Sequence, residues 1–407
     1  MVAVAQPVQA QPYRVIVGAI VFVLQLSMGL SFIAVAPLFP LITADYNISS
    51  ATVSLLVAAT ALVVAVGMIP AGILSAKLGW QRAMLLGGGL MSLVLLTPVA
   101  PNFIALLGLR IGFAVGASIM MATTPAVLMR WFPPNELPIA NGVNLVGQSL
   151  GVTTSVFLAA YLAEGMGWRS ALMLFGIVPF AGTVAWALLV RDREQAAGAT
   201  PPARLSIAEL GAAARERTTL ILGMGVAGGI GAFLGLSSWL PTYYHEEFGF
   251  SLESAGRIAA MLPLFGIVGS ITGSALTVRL GRRKPLILSA GIIVPVAAVG
   301  SFISSDPVML YTSVAVLGIG AMIWFPAALT IPLELPGVTP ERATVATATI
   351  LSVGNLSGFV VPLLVGALHD VTGSYLVGLV ACAIVPLMLT ASGLLVPETG
   401  PGRNSSR

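Results

Sequence analysis

Arg110 and Arg257 each stand in a long apolar run, where an ionised side chain is costly and kept only for a reason. A guanidinium is planar and gives two parallel hydrogen bonds to a carboxylate, so one arginine from each half of the chain would make a clamp for a small anion. Arg110 lies about seven residues, roughly 10 Å, into its run. A purely structural arginine bonded to backbone carbonyls is the competing reading. Arg257 follows Glu253 by one helical turn, and an ion pair at the membrane edge competes with the clamp.

Amides form a second candidate set. Asn141, Asn144 and Gln148 share one helix face by their spacing of three and four, and Gln25 stands with Met28, Gly29 and Phe32 on another. Asn355 occupies the place of Gln148 half a chain later, flanked by Gly354 and Gly358. Such amides serve equally as ligands and as glue between closely packed helices. Tyr243, in Ser237-Ser238-Trp239-Leu240-Pro241-Thr242-Tyr243-Tyr244, is placed to close over a substrate, although an aromatic belt at the interface explains Trp239 and Tyr244 as well. Trp324 fits a cavity wall or a packed core.

The elements that carry these residues follow from composition. With 57% hydrophobic and 8% charged residues in 407, the chain has more apolar surface than a soluble core can hide. A helix crosses a bilayer in about 20 apolar residues, and twelve stretches qualify, at roughly 15–40, 50–76, 83–100, 103–129, 137–161, 169–190, 219–243, 253–278, 285–304, 308–333, 343–368 and 374–396. The expected fold is an all-α membrane protein of twelve transmembrane helices in two pseudo-symmetric six-helix bundles, 1–190 and 218–407, joined by a polar linker at 191–217.

Lysine and arginine are retained in cytoplasmic loops. With both termini inside, nearly every basic residue falls on that side, while Asp45, Glu164, Glu246, Glu247, Glu253, Asp306 and Asp370 fall outside. The net charge of +4 thus reports orientation and does not point to nucleic acid. Residues 1–13 lack a basic n-region, so the first helix is expected to be retained. Asn47-Ile48-Ser49 reads as a sequon, or as the cap of the second helix through Ser49 or Ser50. Cys382 is the single cysteine, which excludes a disulfide framework and a thiolate metal site. No cofactor is expected. No acid falls deep within a helix and both histidines fall in outer loops, so a membrane enzyme lacks its catalytic groups and a buried carboxylate proton relay lacks a carrier.

The basic turn Gly72-x-Leu74-x-x-Lys77-x-Gly79-x-x-Arg82 returns at 274–284, ending in Gly281-Arg282-Arg283-Lys284. At a similar offset Pro37 meets Pro241, Gly116 meets Gly320, and 146–151 meets 353–358, which marks an internal duplication. The loop with Gly72, Leu74, Lys77, Gly79 and Arg82, the intramembrane Arg110 followed by Gly116, and the ending Pro397-Glu398-Thr399 resemble the signatures of the major facilitator superfamily, over nearly the whole chain. The segments 239–244 and 353–358 look loosely like its branches for small organic anions and cyanate-type solutes.

The resemblance implies a monomeric secondary or facilitative transporter of a small organic solute, an anion by its arginines, working by alternating access in a bacterial inner membrane, with protons as a possible coupling ion. A proton-coupled drug or metabolite exporter of the same fold is the alternative, and the missing glycine-proline signature in the fifth helix speaks against it. One departure matters for gating: the aspartate of the family's loop, part of its cytoplasmic latch, is Ala76 in one copy and Val278 in the other. The gating set is therefore Gly72, Lys77, Gly79, Arg82, Arg130, Arg282, Arg283 and Glu334, with Glu334 expected to pair with Arg282 or Arg283 when the transporter faces outward.

Overall fold

The computed structural model describes residues 11–133, 136–190, 215–335, 338 and 340–400. Most of the expected linker, 191–214, lies outside them, as do Arg403 and Arg407. The described residues form helices α1 (Gln11–Phe32), α2 (Phe39–Tyr46), α3 (Ser50–Leu78), α4 (Trp80–Met91), α5 (Phe103–Trp131), α6 (Leu137–Met166) and α7 (Trp168–Leu189). After the linker come α8 (Arg217–Glu246), α9 (Leu252–Leu280), α10 (Lys284–Gly300), α11 (Pro307–Ile323), α12 (Phe325–Glu334), α13 (Pro340–Thr372), α14 (Tyr375–Ile384) and α15 (Leu387–Leu395). Among the described residues eleven segments are long and apolar enough to cross a membrane; the twelfth, α10, has 17 residues and so spans about 26 Å.

Four expected spans are interrupted, and in the third span the α-helix gives way to a 3-10 helix at Ser92–Val99. Between α1 and α2 the chain passes through a 3-10 turn, Ala36–Leu38, because Pro37 and Pro40 cannot donate to the preceding turn. The first span consequently reaches Tyr46. Trp324 separates α11 from α12, and Val385-Pro386 separates α14 from α15. Ser49 caps α3 by accepting from the Thr52 amide at 3.2 Å, as the capping reading of that segment requires.

Packing joins α1 to α6 and α8 to α13 within the two sets of six spans, and α3 to α13 and α6 to α9 between them. Lipid gives helices no hydrophobic reason to associate, so close approach of small residues matters. A Cβ on Gly29 would stand 2.0 Å from the Gln148 carbonyl, and one on Gly151 2.1 Å from that of Leu26. These two glycines set the distance between α1 and α6 and hence place Gln25 near Gln148.

Candidate functional site

We call the end carrying Asp45, Glu164 and Asp370 the acidic end and that carrying Lys77, Arg82 and Arg283 the basic end. The acidic end is closed by two related contacts. The Asp370 carboxylate, near the end of α13, accepts from the amides of Ser50 and Ala51 at 2.9 Å each, at the start of α3. Glu164, near the end of α6, accepts from the Glu253 amide at the start of α9, at 3.2 Å. Each acid satisfies amides that a helix start leaves unpaired and sits at the positive end of that helix dipole. Around them His369 Nδ1 meets Ser50 Oγ at 2.9 Å and stacks on Tyr375 at 3.8 Å, and Phe39 meets Trp239 edge-on at 5.2 Å.

Towards the basic end, a cavity of about 140 Å³ is lined by Gln25 of α1, Met121, Thr124 and Pro125 of α5, and Asn141, Asn144, Leu145 and Gln148 of α6. The three α6 amides fall within its first three turns and on one face, as their spacing requires. Gln25 Nε2 donates to Thr124 Oγ1 at 3.0 Å, and Asn144 Nδ2 donates to the Ala140 carbonyl at 2.8 Å. No charged side chain lines this cavity.

The two arginines are not there. Arg110 is buried, and its Nε donates to Leu56 O at 3.2 Å, Nη1 to Ser31 O at 2.5 Å and Nη2 to Phe32 O at 2.7 Å. Ser31 and Phe32 are the last residues of α1, so the guanidinium caps carbonyls orphaned by that helix end. Arg257 is exposed at the acidic end, with Nη1 3.8 Å from Glu253 and Nη2 3.4 Å from Ser254 Oγ. The two arginines therefore form no clamp in this conformation. For Arg110 the competing reading, an arginine bonded to backbone carbonyls, describes this geometry.

Tyr243 is buried, and its hydroxyl donates to Phe302 O at 2.8 Å, which ties the end of α8 to the turn after α10 in this conformation. Trp239 and Tyr244 are buried as well, bonded to Pro362 O and Ser301 O, so they belong to the core and not to an interfacial belt. Trp324 is also core, lying against Gly229. Asn355 donates to Leu351 O at 2.9 Å within its own helix and is not among the cavity residues. Of the expected ligands, Gln25 and Gln148 are brought together there.

Among the gating residues, Gly79 ends α3 with φ of 80°, a conformation glycine adopts freely, and Gly72 has open space around it. Lys77 and Arg82 are exposed. Arg130 lies 5.4 Å over the Trp80 ring. Glu334 pairs with Arg283 at 2.5 Å and accepts from Thr399 at 2.8 Å, while Glu398 accepts from the amides of Arg283 and Lys284. Arg282 is half-buried beside this network. The Glu334 pair thus exists with the acidic end closed, and both partners belong to the last six spans. It braces one half, where a latch between halves was expected. The acids that do cross between halves, Glu164 and Asp370, were read only as loop charge; their signal was an acid near the end of both the fifth and the eleventh helix.

This architecture is that of a membrane transporter. The chain belongs to the Major Facilitator Superfamily, whose profile it matches over residues 21–362. It is similar to the probable L-galactonate transporter of Escherichia coli, 27% identical over 86% of this chain and 81% of that one. It is also similar to the probable sulfoacetate transporter of Cupriavidus necator, 24% identical over 83% of both chains. Its fold is similar to a crystal structure of a bacterial homolog of the human lysosomal transporter Spinster in an inward-facing, unoccupied conformation, with a TM-score of 0.78, 19% identity and coverage of 95% of this chain and 97% of that one. The protein is an integral membrane transporter.

Proposed function

We propose that this protein moves a small organic acid across a bacterial inner membrane by alternating access between spans one to six and seven to twelve. The basic end faces the cytoplasm, as the distribution of lysine and arginine requires. The conformation described is then inward-facing, with the outer side shut by Asp370 and Glu164 and the amide cavity on the cytoplasmic side. The observation that carries this reading is that closure and cavity lie at opposite ends of the bundle. Gln25 and Gln148 contact the substrate. The acids named for the two relatives support the substrate class.

Arg110 contributes by holding the broken first span in shape. Lys77, Arg82, Arg130, Arg282 and Arg283 brace the cytoplasmic ends of the helices, and transport requires no bond-making chemistry. The experiment is uptake of radiolabelled galactonate and sulfoacetate into proteoliposomes, with and without an imposed pH gradient. Uptake of one acid above empty liposomes is the expected result. Failure of both acids, with uptake of lipophilic cations instead, would establish the exporter of the alternative reading.

A further inference from the structure

The clasp of Asp370 on α3 has a titratable neighbour, His369. Its Nδ1 meets Ser50 Oγ at 2.9 Å across the boundary between the halves and lies 4.0 Å from Asp370 Oδ1 on its own helix. The approach is close because glycine stands one turn earlier: a Cβ on Gly366 would lie 2.6 Å from the Ser50 carbonyl. His369 is half-buried, so solvent protons reach it. The charged groups around it divide unevenly between the halves. Asp370, Tyr375 on α14 and Glu246, which faces Tyr375 from the end of α8, all belong to the last six spans. At the same end of α8, His245 donates to the Phe250 carbonyl at 2.8 Å and Glu247 faces Tyr243. From the first six spans His369 meets the start of α3, whose first turn offers a hydroxyl and two amides and no charged side chain; Asp45, at the end of α2, is paired with Arg169.

A helix start is the positive end of its dipole. A proton on His369 is therefore repelled by α3 while the clasp is closed and is relieved of that repulsion when it opens. Its attraction to Asp370 and Glu246 persists in both states, because those acids move with it. Closure also draws the Asp370 carboxylate to the amides of Ser50 and Ala51, one on each oxygen, whereas a protonated His369 offers it a partner on its own helix. Both effects make the open clasp the better proton acceptor, and a ligand shifts a population towards the state that binds it better. We infer that His369 is a proton-binding site that reads the pH at the acidic end, neutral when the clasp is shut and protonated when it opens. The fraction open at that end then rises as pH falls through the range, about 5 to 8, in which histidine ordinarily changes charge. This inference rests on the alternating-access reading above.

The test is the rate at which a thiol reagent labels Val156→Cys, a position covered by the contact of α6 with α9, in the purified full chain carrying Cys382→Ala. Each rate is divided by that of the same protein with His369→Gln, which cancels the effect of pH on the thiol itself. The ratio is expected to rise about threefold between about pH 7.5 and about pH 5.5. His369→Lys, cationic throughout, is expected to label about threefold faster than His369→Gln at both pH values. A ratio that stays constant over this range would overturn the inference, and so would a His369→Lys protein that labels no faster than His369→Gln. Uptake into proteoliposomes separates the two readings: labelling that ignores His369 while an acid is taken up overturns this inference alone, and the same labelling without uptake overturns both.

Discussion

At the basic end, the two halves solve one problem with opposite chemistry. In the first half the α3–α4 turn is tied to the ends of α5 and α7 by aromatic rings: Trp80 lies 6.4 Å from Trp131 and 5.9 Å from Trp186, Tyr13 lies 5.2 Å from Trp131, and Arg130 covers Trp80. In the second half the corresponding α9–α10 turn is tied to the ends of α12 and α15 by charge, through Arg283, Glu334, Thr399 and Glu398. Arg130 and Glu334 are repeat counterparts, one placed on a ring and the other in an ion pair. Duplication has preserved the position of the brace and not its chemistry.

The difference is testable through stability. Trp186→Ala removes a fully buried ring and is expected to cost about 4 kcal/mol, read as a fall in the thermal midpoint reported by a dye that reacts with the buried Cys382. Arg283→Ala takes the charged donor from Glu334, which keeps only Thr399, and from the Thr277 carbonyl, and is expected to cost about 3 kcal/mol in the same assay. A double-mutant cycle separates the two: on a Glu334→Gln background the Arg283→Ala cost should shrink and the Trp186→Ala cost should not. Unchanged costs for both on that background would erase the distinction between the corners.

The acidic end offers a smaller effect of a different kind. Asp370→Ala is expected to shift the balance towards the state open at that end by ~1 kcal/mol, about fivefold in population. The readout is labelling of Val156→Cys, a position covered by the contact of α6 with α9 near Gly256. Unchanged labelling would remove the clasp from the gating account. Smallest of all, Arg130→Gln should cost about 0.5 kcal/mol by loss of the contact with Trp80, again in the thermal assay.

The fold was legible because composition and periodicity act along the chain. Apolar runs of membrane length and the glycine pairs refer to neighbours a few residues apart, and the repeated turn is read by comparing two segments without knowing how they pack. Of the candidate site, the α6 face was legible for the same reason, since spacing of three and four places Asn141, Asn144 and Gln148 together in any helix. The role of Arg110 was not legible from its own segment. What decides it is that α1, far away in sequence, ends at Phe32 and so leaves the carbonyls of Ser31 and Phe32 in want of donors at its depth.

The sequence by itself thus determined that the chain lives in lipid, that it is two copies of one unit, and that its helix ends divide into a basic and an acidic set. Tertiary structure alone decided which polar groups are already spent. Arg110, Tyr243 and Glu334 have their partners in other segments of the chain, whereas Gln25 spends its NH2 group on α5 and Asn144 spends its own within α6. The physical reason is that hydrogen-bond capacity in a membrane is settled between segments remote in sequence, and a residue type states what it can donate or accept without stating what has already claimed it.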